Sequence, residues 1–143
     1  MKITLIVVGK LKSQFREIDD FFQKRIKIYS PLEIIELKER NDPALETESI
    51  IKSIPSTSFV VALRETGKGL DSLSFAKLLS EKSVSHGSIC FVIGGAYGFG
   101  DINENLTLSI APWTLPHQLA RINLLEQIYR GLSILSGSGY HHA

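Results

Sequence analysis

The strongest constraint on this chain is the run Ser-Ile-Cys-Phe-Val-Ile at 88–93, which stops at Gly94-Gly95. An apolar run this short, with no polar alternation, describes a strand buried on both faces, as in a parallel sheet covered by helices. Lys2 to Gly9 has the same character, and so do Leu32 to Leu37 and Ser58 to Leu63, with Leu106 to Ile110 as a shorter fifth strand. Between them lie stretches of helical period. Ser13 to Tyr29 carries Phe15, Ile18, Phe21, Phe22, Ile26 and Tyr29 on one side and charge on the other. Glu46 to Ile54 follows the helix-start signal Asn41-Asp42-Pro43. Asp71 or Ser72 caps a third helix through about Val84, and Leu119 to Leu135 is the last. Arg64 to Gly69 reads as a polar, glycine-rich turn, and Ser136 to Ala143 as a loop-like tail.

Strands alternating with helices predict an α/β fold with a mainly parallel sheet, in which ligands bind beyond the carboxyl ends of the strands. The loops after Leu63, Ile93 and Ile110 are the candidates. At 143 residues one domain is expected. The composition, 43% hydrophobic and 22% charged, is that of a soluble globular protein, and a net charge of +1 argues against gripping naked nucleic acid by bulk electrostatics. The single cysteine, Cys90, excludes an internal disulfide and a cysteine-rich zinc site and reads as core. No charged-then-apolar leader and no apolar run near the length of a membrane span is present, so a cytoplasmic, unanchored protein is expected.

The loop Gly-Gly-Ala-Tyr-Gly-Phe-Gly (94–100) follows a strand but has the register of neither a dinucleotide fingerprint nor a P-loop. Asp101 and Glu104 repel phosphate, so a neutral or cationic ligand suits it better. In Ala111-Pro112-Trp113-Thr114-Leu115-Pro116 two prolines restrict the loop and lower the entropy lost on ordering it round a ligand. Trp113 and Leu115 can wall an aromatic ring, and main-chain groups can read an adenine edge. His117 and Arg121 share a helix face, as do Glu126 and Arg130, which have the spacing of an ion pair. Arg121 has no acidic residue three or four positions away and is the better phosphate candidate. Lys10, Lys12, Arg16, Lys24, Arg25 and Lys27 offer a modest basic patch or a solvated helix face. The histidines fit no metal-binding spacing, so no metal is expected.

Four blocks in this order, Phe-Val-Ile-Gly-Gly-Ala-Tyr-Gly-Phe (91–99), Leu-Ser-Ile-Ala-Pro-Trp-Thr-Leu-Pro-His-Gln-Leu-Ala-Arg (108–121), Glu-Gln-Ile-Tyr-Arg (126–130) and the terminal Tyr-His-His, resemble the RlmH-type ribosomal RNA large-subunit methyltransferases of the SPOUT superfamily. The resemblance spans the whole chain. It implies a single SPOUT domain over 1–143 with a C-terminal trefoil knot, the cofactor-binding part covering about 88–143. It implies transfer of a methyl group from S-adenosylmethionine to N3 of a pseudouridine in large-subunit rRNA, by a homodimer acting on the assembled ribosome. Leu63, Gly94, Ile110, Ala111, Pro112, Trp113, Thr114 and Leu115 then bind the cofactor. His117 or His141 takes the N3 proton, Tyr140 stacks on or bonds to the base, and Arg121 and Arg130 hold phosphate or developing negative charge. The tail reaches an active site, its own or that of the other subunit. Two alternatives stand beside this reading: a SPOUT-type methyltransferase of another RNA such as tRNA, and a non-catalytic ribosome-associated factor that binds an adenosine ligand.

Overall fold

A computed structural model describes residues 1–142. Five strands, β1 (Lys2–Val8), β2 (Leu32–Leu37), β3 (Phe59–Gly69), β4 (Ser88–Ile93) and β5 (Leu106–Ser109), form one sheet in the order β2-β1-β4-β3-β5 with every pairing parallel. Of four α-helices, α1 (Arg16–Tyr29), α2 (Pro43–Ser53) and α3 (Ser72–Ser85) lie in the connections between successive strands, and α4 (His117–Ser136) follows β5.

The unbroken apolar runs have a physical counterpart on each face. Ile3, Leu5, Ile89 and Phe91 meet Phe22 and Ile26 of α1, Phe75 and Leu79 of α3, and Ile122, Leu125 and Ile128 of α4. On the opposite face Ile6, Val8, Val60, Ala62, Cys90 and Val92 pack with Ile50 of α2 and with Ile102. Cys90 is fully buried there, and desolvation pushes its thiol up to about 12, which removes thiolate chemistry.

Three boundaries differ from those read in the sequence. The first helix opens with a 3-10 turn at Ser13–Phe15, α2 begins at Pro43 with Asp42 accepting from the Ala44 and Leu45 amides, and α4 begins at His117, leaving Leu119 40% exposed rather than on the core stripe. The largest correction concerns residues 64–69. These are not a free turn: β3 pairs through Leu63, bulges outward, and resumes with Lys68 opposite Leu108 and Gly69 opposite Ser109. Gly67 crosses the β5 backbone so closely that a Cβ there would lie 2.5 Å from the Leu108 carbonyl carbon. The bulge thrusts Arg64, Glu65 and Thr66 off the sheet's end.

Candidate active site

Because β4, β3 and β5 are parallel neighbours, the loops that follow them leave the sheet side by side. They enclose a cavity of about 510 Å³. Leu63 comes from the first loop, Ile93 and Gly94 from the second, and Ile110, Ala111, Trp113, Thr114 and Leu115 from the third, with His117 of α4 at the rim. Pro112 is exposed and is not part of the lining. The wall is largely main chain and apolar side chain, with Glu65, Thr66, Ser109 and Thr114 among its polar residues. Its single arginine, Arg64, is held by three hydrogen bonds. Its Nε donates to Glu104 at 2.8 Å, its two terminal nitrogens donate to the Phe99 and Gly100 carbonyls at 2.7 Å, and the guanidinium lies 4.1 Å from the Phe99 ring centroid.

This clasp sets the shape of the glycine loop. Phe99 folds beneath Gly94, where a Cβ would sit 2.5 Å from its ring, so residue 94 must be glycine for the loop to close. The Gly100 amide donates to Thr47 Oγ1 at 2.8 Å. Glu104 is partly desolvated, which works against its charge, but bonding to Arg64 and to main-chain amides outweighs this and holds its carboxyl below the ordinary value.

Beyond the rim the predicted residues separate. Arg121 is 5% exposed and does not face the cavity. Its Nε and one terminal nitrogen donate to the two carboxylate oxygens of Asp19, at 2.8 and 3.1 Å, and its other terminal nitrogen donates to Glu36 at 2.6 Å. Desolvation opposes the charge, yet these bonds raise its pKa further. The expectation of an unpaired Arg121 therefore fails. Its acidic partners lie on α1 and β2, and within this protomer it fastens α4 to both rather than meeting phosphate.

The tail is not a loose end. Gly137, with φ +77°, ends α4 in a Schellman motif, the Ser138 amide donating to the Ser133 carbonyl at 3.0 Å. The chain turns back along α4, and the Tyr140 hydroxyl donates to Glu126 at 2.7 Å. Arg130 donates to the same carboxylate at 2.8 and 3.1 Å and contacts His141 Nδ1 at 3.0 Å. Since a guanidinium can only donate, Nδ1 accepts, and the neutral ring carries its proton on Nε2. The Glu126 bond raises the Arg130 pKa. Burial, then donation to Glu126, raises that of Tyr140, making its phenol a donor rather than a base. The Tyr140 ring packs against Tyr129, centroids 4.5 Å apart and planes tilted by 54°, and Tyr129 packs on Phe22 and Tyr29 of α1. Arg130 stands thirteen residues along α4 from His117, about 20 Å at 1.5 Å per residue. The cavity and this cluster lie apart, at opposite ends of one helix.

A family model described as "Predicted SPOUT methyltransferase" matches residues 1–141. The chain belongs to the SPOUT methyltransferase family. It is 39% identical to the ribosomal RNA large subunit methyltransferase H of Clostridioides difficile, 36% to that of Gemmatimonas aurantiaca and 40% to that of Streptococcus equi subsp. zooepidemicus, each over 99% of both chains. As a SPOUT methyltransferase it places its three-loop cavity at the strand ends, where the sequence put it. What the sequence reading missed are the residues that shape this cavity, Arg64, Phe99, Thr47 and Glu104. Their signal was faint: an arginine directly after an apolar strand, and an aromatic between two glycines. Among the described residues no group of three or more His, Cys, Asp or Glu is arranged to hold a metal, and no helix is long and apolar enough to cross a membrane.

Proposed function

We propose that this chain is a cytoplasmic S-adenosylmethionine-dependent methyltransferase of N3 of a pseudouridine in large-subunit ribosomal RNA. It acts on the assembled ribosome as a homodimer, each subunit a single domain with its C-terminal part, about 88–143, knotted. The observation that carries this reading is the cavity. Its volume, about 510 Å³, lies within the range of small-molecule sites. Arg64, the one arginine or lysine of the lining, is held by the Glu104 carboxylate and two carbonyls, and Glu65 adds a negative charge to the wall, which suits a bent adenosine sulfonium better than a dinucleotide. The names of the relatives support large-subunit rRNA as the acceptor.

Ile110, Ala111, Trp113, Thr114 and Leu115 hold the adenosine through main-chain groups, with Pro112 outside the lining stiffening the loop; Trp113 and Leu115 flank the ring, and Leu63 and Gly94 close the other walls. When bound, S-adenosylmethionine supplies an activated methyl group. The chain's own contribution is alignment and proton removal, since N3 must lose its proton as it gains the methyl. His141 accepts from Arg130 at Nδ1 and is protonated at Nε2, so His117 on the cavity rim takes the proton. Arg130, with Tyr140 and His141, supplies donors to the developing anion and to RNA. Because these donors lie about 20 Å along α4 from His117, they serve the cavity of a second copy whose α4 runs antiparallel.

The test is methyl transfer from labelled cofactor to intact ribosomes, separate subunits and free RNA in parallel, with the modified nucleotide mapped. Modification of one pseudouridine in intact ribosomes is the expected result. Methylation of free RNA or tRNA alone, or cofactor binding without transfer, contradicts it.

A further inference from the structure

The chain's net charge of +1 hides an uneven distribution. Lys2, Lys24, Lys52 and Lys77 and the arginines 64, 121 and 130 are all held in ion pairs. Among the described residues seven exposed cations form none, and five of them, Lys10, Lys12, Arg16, Lys38 and Arg40, lie on the loops after β1 and β2 or at the first residue of α1; the other two, Lys27 and Lys68, stand apart in the last turn of α1 and the outer half of β3. The acidic residues that share these loops, Glu39 and Asp42, do not neutralise them. Glu39 lies against Gly9 without an ion pair, and Asp42 caps α2.

Two buried acceptors hold these loops beside the cavity. Gln118, 7% exposed and next to His117, accepts from the Lys12 amide and donates to the Lys10 carbonyl, both at 2.9 Å. Glu46, 2% exposed, accepts from the Arg40 and Asn41 amides at 2.8 and 3.2 Å, while its other oxygen faces Gly95 of the glycine loop. The Gly9 amide bonds the Leu37 carbonyl at 2.7 Å and joins the two loops to each other. Main-chain anchoring of this kind leaves lysine and arginine ends in solvent while fixing where they stand. The cost of ordering them on a polyanion is correspondingly lower.

We propose that Lys10, Lys12, Arg16, Lys38 and Arg40 form a phosphate-binding strip that grips the RNA backbone flanking the target nucleoside, with Gln118 and Glu46 as its positioning residues. The proposal rests on the RNA-methyltransferase reading. The strip lies beside the cavity, at the carboxyl ends of β1 and β2, and takes backbone phosphates without reading sequence.

Ribosome binding measured over a ladder of salt concentrations tests it, alongside methyl transfer by the same preparations. The triple variant Lys10→Gln, Lys12→Gln, Arg16→Gln is expected to bind about tenfold or more weakly and to lower the slope of log affinity against log salt by about 2, at roughly 0.7–0.9 per lost phosphate contact. Its cofactor affinity and turnover at saturating ribosomes stay unchanged. Lys82→Gln, which removes a cation just before the amino end of β4, leaves the slope unaltered. An unchanged slope in the triple variant, or an equal drop in Lys82→Gln, overturns the strip. If the slope drops as expected but the wild type methylates no ribosomal particle, the strip stands and the methyltransferase reading falls.

Discussion

The two ends of α4 solve different problems with different materials. At its start the cavity is walled largely by main chain and apolar side chains, and its one arginine holds the glycine loop. At its end Glu126, Arg130, Tyr140 and His141 form a side-chain network that is partly open to solvent. The two arginines of the helix express the contrast. Arg121 is sealed between Asp19 and Glu36, and Arg130 keeps 23% of its side chain exposed against one local glutamate. Burial makes the first a fastener. Exposure, and a carboxylate four residues away, leave the second able to exchange its partner for a substrate anion. A wall that needs shape is built from backbone, whereas the far end of the helix presents a partly exposed, always-protonated side chain.

The comparison breaks most visibly through Arg121. Arg121→Met leaves Asp19 buried without its partner and is expected to cost about 3–5 kcal/mol in urea unfolding. Arg130→Met costs about 1 kcal/mol or less, because its pair is local and partly solvated. Equal losses would show that the two pairs are of one kind. For activity the order reverses. Arg130→Ala lowers the methyl-transfer rate by about 10²–10³-fold with cofactor affinity unchanged, read by single-turnover kinetics against calorimetric binding. Gly94→Val overpacks the loop against Phe99 and weakens cofactor binding roughly ten- to a hundredfold, by about 1–3 kcal/mol, while turnover at saturating cofactor survives. The smallest effect is one of pH. The folded Glu104 pKa is depressed, so the clasp's stabilisation is present above the unfolded value of 4.5 and is lost as pH falls through the folded value. Amide exchange at residues 94–104 is expected to accelerate below that value, and Glu104→Gln should remove the acid dependence.

The sequence makes the strands and helices legible because burial on both faces leaves unbroken β-branched runs, and half-buried helices leave a stripe. The convergence of three loops follows from parallel topology, so the loops after Leu63, Ile93 and Ile110 are legible as cavity walls without coordinates, whereas the exclusion of Pro112 from the lining is not. What stays hidden depends on partners far along the chain. The outer half of β3 looks like a turn because it is a strand only by pairing with Leu108 and Ser109. Arg121 looks free because Asp19 lies 102 positions away. Arg64 looks like solvent-facing polarity because its acceptors follow 35 to 40 residues later. The Glu126–Arg130 pair is visible because its spacing is local, but its link to Tyr140 requires the chain reversal at Gly137 and Ser138.

The most direct test of a site shared between two copies is subunit complementation. Arg130→Ala and Gly94→Val protomers, each inactive as a homodimer at limiting cofactor, are co-expressed with different tags and the mixed dimers assayed on ribosomes. If the cavity of one subunit works with the Arg130–Tyr140 cluster of the other, each mixed dimer carries one intact site of two and shows about half of wild-type activity. Activity no greater than that of the two separate homodimers would mean that each protomer carries its whole site, and would contradict the account.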